Sequence, residues 1–177
     1  MTRTGWQKTW VRTVTTMMTV TVMALIFFLS TENAYESDER SGFFSRIIIS
    51  IFHPDYEQMS PEEQHELYLD VQYVVRKCAH FAEYLILGFL IRLCLESWFG
   101  NRMKRPYLLA AGALAAGTAY ACTDEAHQLM IDGRSGQWRD VLVDGGGVTA
   151  GAVLGTLFIL YVNRKLTGRA ETEKDPY

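Results

Sequence analysis

The stretch Arg76-Lys77-Cys78-Ala79-His80-Phe81-Ala82-Glu83-Tyr84 decides how the chain is organised, because it places ionisable side chains at the start of a long apolar run. In a helix, Arg76, His80 and Glu83 lie at i, i+4 and i+7 and share one face. If that helix crosses a membrane, a rise of about 1.5 Å per residue puts Glu83 about 10 Å deeper than Arg76. Ionisable groups at such depth normally face the interior of a bundle and find partners there. The sequence therefore predicts a polar site inside a helical membrane bundle.

The apolar residues of the chain are concentrated in long blocks. The chain has 177 residues, of which 49% are hydrophobic and 21% charged, and its mean hydropathy is +0.00. Four segments are long and poor in charge, and each approaches or exceeds the roughly 17 to 25 residues of a spanning helix. They cover residues 14–29, 71–98, 107–122 with an extension to 130, and 141–162. The predicted fold is an all-α membrane protein, a bundle of four transmembrane helices.

This pattern divides the chain into four parts. Residues 1–30 form an N-terminal transmembrane helix that we expect to remain uncleaved. Residues 31–60 form an outer acidic loop, in which the apolar block 43–52 is too short to span and indicates a segment lying in the membrane interface. Residues 61–162 form the helical membrane core, and residues 163–177 form a cytoplasmic tail.

The distribution of charge predicts the orientation of the chain. Residues 31–70 carry ten acidic residues and only two arginines, so we expect this connection to lie outside. Three basic clusters flank the apolar segments and are cytoplasmic by the positive-inside rule, which puts both termini in the cytoplasm. The clusters are Arg3, Lys8 and Arg12, then Arg102, Lys104 and Arg105, then Arg164, Lys165 and Arg169. The net charge of −3 argues against a nucleic-acid partner.

Local signals predict how the helices begin and pack. Ser60-Pro61-Glu62-Glu63 combines a capping hydroxyl, a proline at the first helical position and a glutamate that closes a capping box, so one helix is predicted from 61 through 98. Near its end, Arg92 and Glu96 are spaced to pair at the inner interface. Small residues at four-residue spacing, at 113, 117 and 121 and again at 147, 151 and 155, predict close helix packing.

Charged groups from three predicted helices converge at the outer end of the bundle. The second helix enters from that side, the third ends there and the fourth begins there. The candidate catalytic residues are His80, Glu83 and Asp124, and the candidate ligand-binding residues are Arg76, Lys77, Glu125, Gln128, Arg134, Asp140 and Asp144, with Arg139 beside them.

Four interpretations of this site stay open. It can be a structural ionic network, or a clamp for an anionic headgroup built from the basic residues. It can be an enzyme site, with His80 as general base oriented by Glu83 or Asp124, or with a divalent metal held by His80 and the carboxylates. The fourth is proton or ion transfer along the network. Because the His-x-x-Glu spacing is looser than known zinc motifs, and Gly145-Gly146-Gly147 lacks the Lys-Ser/Thr of a phosphate loop, we expect no metal and no cofactor.

Three ordered motifs resemble the VanZ-like family of bacterial membrane proteins. They are Arg76-Lys77-x-x-His80-Phe81-x-Glu83-Tyr84, then Asp124-Glu125-x-x-Gln128, then Arg134 with Asp140-Val141-Leu142 and Gly147, within residues 71–155. The fourth helix in this family usually carries Asn where this chain has Asp144. The family takes its name from a protein linked to low-level teicoplanin resistance, so the resemblance implies a multi-pass protein of the bacterial cell membrane with an envelope-related role. It does not supply a reaction.

The combined hypothesis is a membrane protein whose outer-leaflet polar site binds an anionic envelope lipid or lipid-linked component, with an effect on glycopeptide susceptibility. The alternative is a membrane-embedded enzyme that uses His80 with Glu83 and Asp124 on a lipid-linked substrate. Membrane lipid, or a lipid-linked envelope component, is the expected partner in both cases.

Overall fold

A computed structural model describes residues 6–32, 34–103, 105–131 and 138–172, and within these ranges the secondary structure is helical throughout. A 3-10 turn at Tyr56–Gln58 precedes the longest helix. The α-helices are α1 (Thr9–Ser30), α2 (Ala34–Phe52), α3 (Pro61–Phe99), α4 (Pro106–Gln128) and α5 (Trp138–Thr172). The all-helical prediction is confirmed for the described part of the chain.

Helix α3 begins where its capping signals predict. The backbone N–H of Glu63 donates to Oγ of Ser60 at 3.3 Å, and the backbone N–H of Ser60 donates to Oε2 of Glu63 at 2.8 Å. With Pro61 in its first turn and no later breaker, the helix continues for 39 residues. A single helix therefore carries the charged stretch 76–84 and the apolar run that follows it.

Among the described residues, three helices are long and apolar enough to cross a membrane. They are α1, α3 and the 138–166 part of α5. Helix α4 has 23 residues but is not one of them, because much of its length is alanine and glycine, which are less hydrophobic than leucine or isoleucine. The length and composition of the helices thus support a membrane protein with three such helices, and they do not establish a fourth span.

Helices α3 and α5 run parallel in close contact, which glycine makes possible. A Cβ on Gly147 would lie 3.1 Å from the backbone N of Leu85, and one on Gly155 would lie 3.1 Å from Cβ of Arg92. Residue numbers increase together along the two helices, so both point in the same direction. The predicted close packing at 147, 151 and 155 is confirmed, since backbone contact at this range excludes larger residues.

Helix α4 is antiparallel to α3 and returns the chain to the start of α5. Gly112 faces Leu95 of α3, whereas Tyr120 lies farther toward the N-terminal half of α3, with its ring 6.4 Å from that of Tyr84. Helix α1 is parallel to α4, because the Tyr120 hydroxyl donates to the Met23 carbonyl at 2.6 Å and Phe27 stacks on His127. The buried core at the centre includes Tyr84, Leu87, Ile91, Ala113, Ala121 and Val148.

Two features differ from the sequence predictions. Helix α2 begins at Ala34, so much of the predicted acidic loop is helical, and it packs on α3 where Gly42 meets Tyr68. Arg92 does pair with Glu96, Nη1 to Oε2 at 3.0 Å, but its side chain is buried in the bundle and does not extend outward from it. Its side chain is 1% exposed, because Nε donates to Oγ1 of Thr156 on α5 at 3.0 Å and holds the guanidinium between the helices.

Candidate functional site

A cavity of about 250 Å³ lies at the polar end of the bundle, the end formed by residues 76–84, 124–128 and 140–144. Helices α1, α2, α3 and α4 all contribute to its lining. The apolar part of the wall includes Ile26, Leu29, Phe44 and Val75, and the charged part consists of Arg40, Arg76, His80, Glu83 and Asp124. The charged face of α3 that the sequence indicates is therefore a cavity wall, and Glu83 and Asp124 line the same space.

The arginines of the cavity pair with carboxylates of the segment that precedes α3. Nη1 of Arg76 donates to Oδ1 of Asp38 on α2 at 2.9 Å, and Arg40 pairs with Glu32. The Arg76 and Asp38 side chains are 42% and 49% exposed. The sequence groups Arg76 with the carboxylates of the bundle and does not indicate Asp38, because residues 31–42 are predicted as part of a polar loop.

His80 faces α5 from its position on α3. Its Nδ1 lies 3.7 Å from Oδ1 of Asp144, and the Asp144 side chain is completely buried whereas the His80 side chain is 25% exposed. On α4, Asp124 is also buried, and its Oδ2 accepts a hydrogen bond from Nε2 of Gln128 at 3.2 Å. The face that Asp124 and Gln128 share therefore points into the bundle.

Lys77 connects α3 to the first turn of α5. Its ammonium group pairs with Asp140, and the same nitrogen lies 5.1 Å from the centroid of the Tyr73 ring. Lys77 and Asp140 lie one turn closer to the end of the bundle than His80 and Asp144. Asp140 and Asp144 are one turn apart on α5, and Lys77 and His80 are one turn apart on α3. Lys77 therefore meets Asp140, and His80 meets Asp144.

A family model described as VanZ/LLP1 matches residues 15–160 of the chain. The chain belongs to the VanZ/LLP1 family. The match extends from α1 to α5, so it is wider than the region 71–155 in which the sequence motifs lie. No curated protein and no solved structure gives a significant match to the chain.

Within this VanZ/LLP1 protein, the other candidate residues occupy distinct places. Glu125 and Gln128 are buried at the end of α4. Arg139 is exposed, with its guanidinium carbon 5.8 Å from the centroid of the Trp138 ring. Arg134 lies outside the described residues.

The charges of the site are arranged by depth. Arg76 is partly exposed and paired with Asp38, whereas Asp124 and Asp144 are 4% and 0% exposed. A carboxylate away from water requires a cation or hydrogen-bond donors nearby. Such an arrangement can hold a polar ligand between the arginines and the deeper carboxylates, or it can position His80 for proton transfer to a ligand in the cavity.

Proposed function

We propose that this protein binds the anionic phosphate headgroup of an envelope lipid or of a lipid-linked envelope component in its cavity. The observation that carries the proposal is the pair of arginines, Arg40 and Arg76, on a cavity wall that is otherwise partly apolar. Guanidinium groups bind phosphate oxygens with paired hydrogen bonds, and the apolar wall suits the adjoining acyl or prenyl chain.

The existing ion pairs leave these arginines available. Arg76 with Asp38 is an exposed pair, and such pairs contribute only about 0–1 kcal/mol. A charge-assisted hydrogen bond to a phosphate in a partly desolvated cavity is stronger, at roughly 1.5–3 kcal/mol. A headgroup can therefore displace or share the carboxylate partner of Arg76.

The cavity volume limits the ligand. At about 250 Å³ it is smaller than the roughly 300–1,000 Å³ of cavities that enclose drug-sized molecules. It has room for a phosphate and its immediate linkage, while the remainder of the ligand stays in the bilayer or in water. Teicoplanin itself is far larger than this, so any effect on teicoplanin susceptibility would act through the envelope component rather than through capture of the drug in this cavity.

The proposed orientation places this end of the bundle at the outer leaflet of a bacterial cell membrane, with both termini in the cytoplasm. The positive-inside rule supports it. Four spans are supported by the packing, because α3 and α5 are parallel and the chain must return between them. Helix α4, with 23 residues or about 34 Å, is long enough for that return.

The binding proposal is tested with the full chain in lipid nanodiscs. The probes are short-chain phosphatidylglycerol, a polyprenyl phosphate and inorganic phosphate, with short-chain phosphatidylcholine as the neutral control. We expect Arg76→Gln and Arg40→Gln each to weaken binding of the anionic lipids by about tenfold or more. Arg46→Gln, an exposed arginine of the same helix α2 outside the cavity lining, is the matched control and should bind as the unmodified chain does.

The results of that experiment distinguish a lipid phosphate from a free phosphate as the ligand, and they distinguish ligand binding from a purely structural role of the arginines. Binding of inorganic phosphate alone points to a free anion, and equal binding of phosphatidylcholine contradicts the proposal. Binding that is unaffected by both arginine substitutions also contradicts it. If the two variants only lower the melting temperature, the charges serve as a structural network.

An enzyme is the second candidate, and the position of His80 favours it. A histidine that faces a buried carboxylate at 3.7 Å and also lines a cavity has the surroundings of a general base. The orienting carboxylate would then be Asp144 as well as the Glu83 and Asp124 that the sequence indicates. The test compares conversion of a polyprenyl-linked substrate by the unmodified chain and by His80→Gln. If His80→Gln binds the substrate with unchanged affinity but no longer converts it, the result favours catalysis. If the unmodified chain does not convert it, that substrate is excluded.

A further inference from the structure

Three side chains from three different helices bring donor atoms together at the inner wall of the cavity. They are His80 on α3, Asp124 on α4 and Asp144 on α5, and one donor atom from each lies within 4.8 Å of the others. Nδ1 of His80 lies 3.7 Å from Oδ1 of Asp144. Because the residues are 44 and 20 positions apart along the chain, no local spacing motif could reveal the group.

The second observation is that the carboxylate of Asp144 is buried without a hydrogen-bond donor in the described part of the chain. Its side chain is completely buried, and neither carboxylate oxygen accepts a hydrogen bond from any residue in the described ranges. Apart from His80 Nδ1, which is beyond hydrogen-bond distance, no basic group of the described chain forms an ion pair with it. Lys77 pairs with Asp140 instead, and Arg76 with Asp38. A buried carboxylate without donors is costly, and charged groups that are buried in proteins are paired with an opposite charge or coordinate a metal ion.

We propose that His80, Asp124 and Asp144 bind a divalent transition-metal cation. Ligand atoms at about 2.0–2.2 Å from a tetrahedral ion lie about 3.3–3.6 Å apart, so the separations in this cluster need only small side-chain rotations. One imidazole nitrogen with two carboxylate oxygens suits Zn²⁺ or Mn²⁺ better than Ca²⁺ or Mg²⁺, which prefer oxygen ligands alone.

Three protein ligands leave a coordination position open, and that position faces the cavity. Both His80 and Asp124 contribute to the cavity lining, while Asp144 supports them from behind on α5. Water or a phosphate oxygen can therefore complete the coordination. The bridging of a headgroup by the cation rests on the proposed function; the cation site itself does not. Bridging would also resolve an electrostatic difficulty, because Glu83 and Asp124 would otherwise repel an anionic headgroup that enters the cavity.

Metal binding alone tests the site. The full chain in detergent is stripped with a chelator and titrated with Mn²⁺ and Zn²⁺, and bound metal is counted by elemental analysis. We expect about one cation per chain, with affinity reduced about tenfold or more in both Asp144→Asn and His80→Gln, because each loses one of only three ligands. His65→Gln is the matched control: it removes an exposed histidine of the same helix α3 outside the cluster, and it should bind metal as the unmodified chain does.

A spectroscopic measurement separates ligation from a structural effect. Electron-spin-echo envelope modulation of the bound Mn²⁺ should show hyperfine coupling to an imidazole nitrogen. His80→Gln should abolish this coupling even where some affinity for Mn²⁺ remains. If the titrated chain retains no more metal than the chelator-treated chain does, the result contradicts the site. Full Mn²⁺ affinity in both Asp144→Asn and His80→Gln contradicts it as well.

The lipid titration, repeated with and without Mn²⁺, distinguishes the two proposals. Phosphatidylglycerol affinity that rises with Mn²⁺ in the unmodified chain, and not in Asp144→Asn, supports the bridge. Metal binding with unchanged lipid affinity refutes the bridge and leaves the cation site standing. Lipid binding by a chain that binds no metal refutes the cation site and leaves the proposed function standing.

Discussion

Asp38 on α2 accepts a hydrogen bond from Arg76 on α3 at 2.9 Å, and this pair connects the segment before the bundle to the cavity. Arg76 lines the cavity and Asp38 does not. The carboxylate therefore holds the guanidinium at the edge of the cavity and competes with any anion inside it. Since the pair is almost half exposed, the competition is weak and can be removed by one substitution.

The first prediction concerns that competition. Asp38→Asn removes the negative charge but keeps a hydrogen-bond acceptor of the same size, so Arg76 becomes more available to phosphate. We expect affinity for short-chain phosphatidylglycerol to rise by about two- to fivefold, which corresponds to the roughly 0.5–1 kcal/mol of an exposed ion pair. Equilibrium titration in nanodiscs measures the change. Asp55→Asn, an exposed aspartate at a distance from the cavity lining, is the control, and weaker binding in Asp38→Asn would contradict the prediction.

The second prediction concerns the contact between α3 and α5. A Cβ on Gly151 would overlap the Leu85 carbonyl oxygen and lie 2.7 Å from the Phe89 nitrogen, both of which are backbone atoms that cannot rotate away. Gly151→Ala should therefore destabilise the fold by about 1–3 kcal/mol and lower the melting temperature in detergent. Gly145→Ala on the same helix meets only Thr118 Oγ1 at 3.8 Å and should be neutral or slightly stabilising, since alanine favours helix. Equal melting temperatures for the two variants would refute the close packing.

The sequence reveals those parts of the architecture that depend on local patterns. The start of α3 follows from the Ser60 capping box, and the tight packing of α5 follows from glycines at a four-residue period. The sequence does not predict the first half of helix α2, because the polar residues 34–42 carry no apolar periodicity of their own and are helical through packing on α3. Contacts with α3, rather than the intrinsic helix propensity of residues 34–42, determine the structure of this segment.

The candidate site follows the same division. The convergence of the charged residues at one end of the bundle could be deduced from the order of the helices. Successive antiparallel helices place the start of α3, the end of α4 and the start of α5 at the same end. The individual partners could not: Arg76 with Asp38, and His80 with Asp144, are set by the rotation of each helix about its axis. A shift of one residue turns an α-helical side chain by about 100°, so pairs across helices require coordinates.

The third prediction concerns orientation. In a chain whose native Cys78, Cys94 and Cys122 are replaced by serine or alanine, R102C should react with a membrane-impermeant maleimide only after permeabilisation, whereas E57C should react in intact cells. The replacement is necessary because Cys78 and Cys122 are exposed. The expectation follows from the positive-inside rule and from the acidic character of residues 31–70. Labelling of R102C in intact cells would reverse the orientation and put the cavity on the cytoplasmic side.

The fourth prediction compares a buried ion pair within α3, Arg92 with Glu96, with the exposed pair that joins Arg76 of α3 to Asp38 of α2. Arg92 and Glu96 are each 1% exposed, whereas Arg76 and Asp38 are 42% and 49% exposed. Arg92→Met leaves the Glu96 carboxylate without its guanidinium in the interior, so we expect a loss of about 3–5 kcal/mol and a large fall in melting temperature. The double variant Arg92→Met with Glu96→Met should recover most of that loss, because replacing both partners by apolar groups of similar size is often neutral. Arg76→Met, which breaks the exposed pair, should cost about 1 kcal/mol or less. If Arg92→Met costs no more than Arg76→Met, the Arg92–Glu96 pair of α3 is not shielded from water, and the bundle must be more hydrated at that level than the contacts of Arg92 with Thr156 and Gly155 imply.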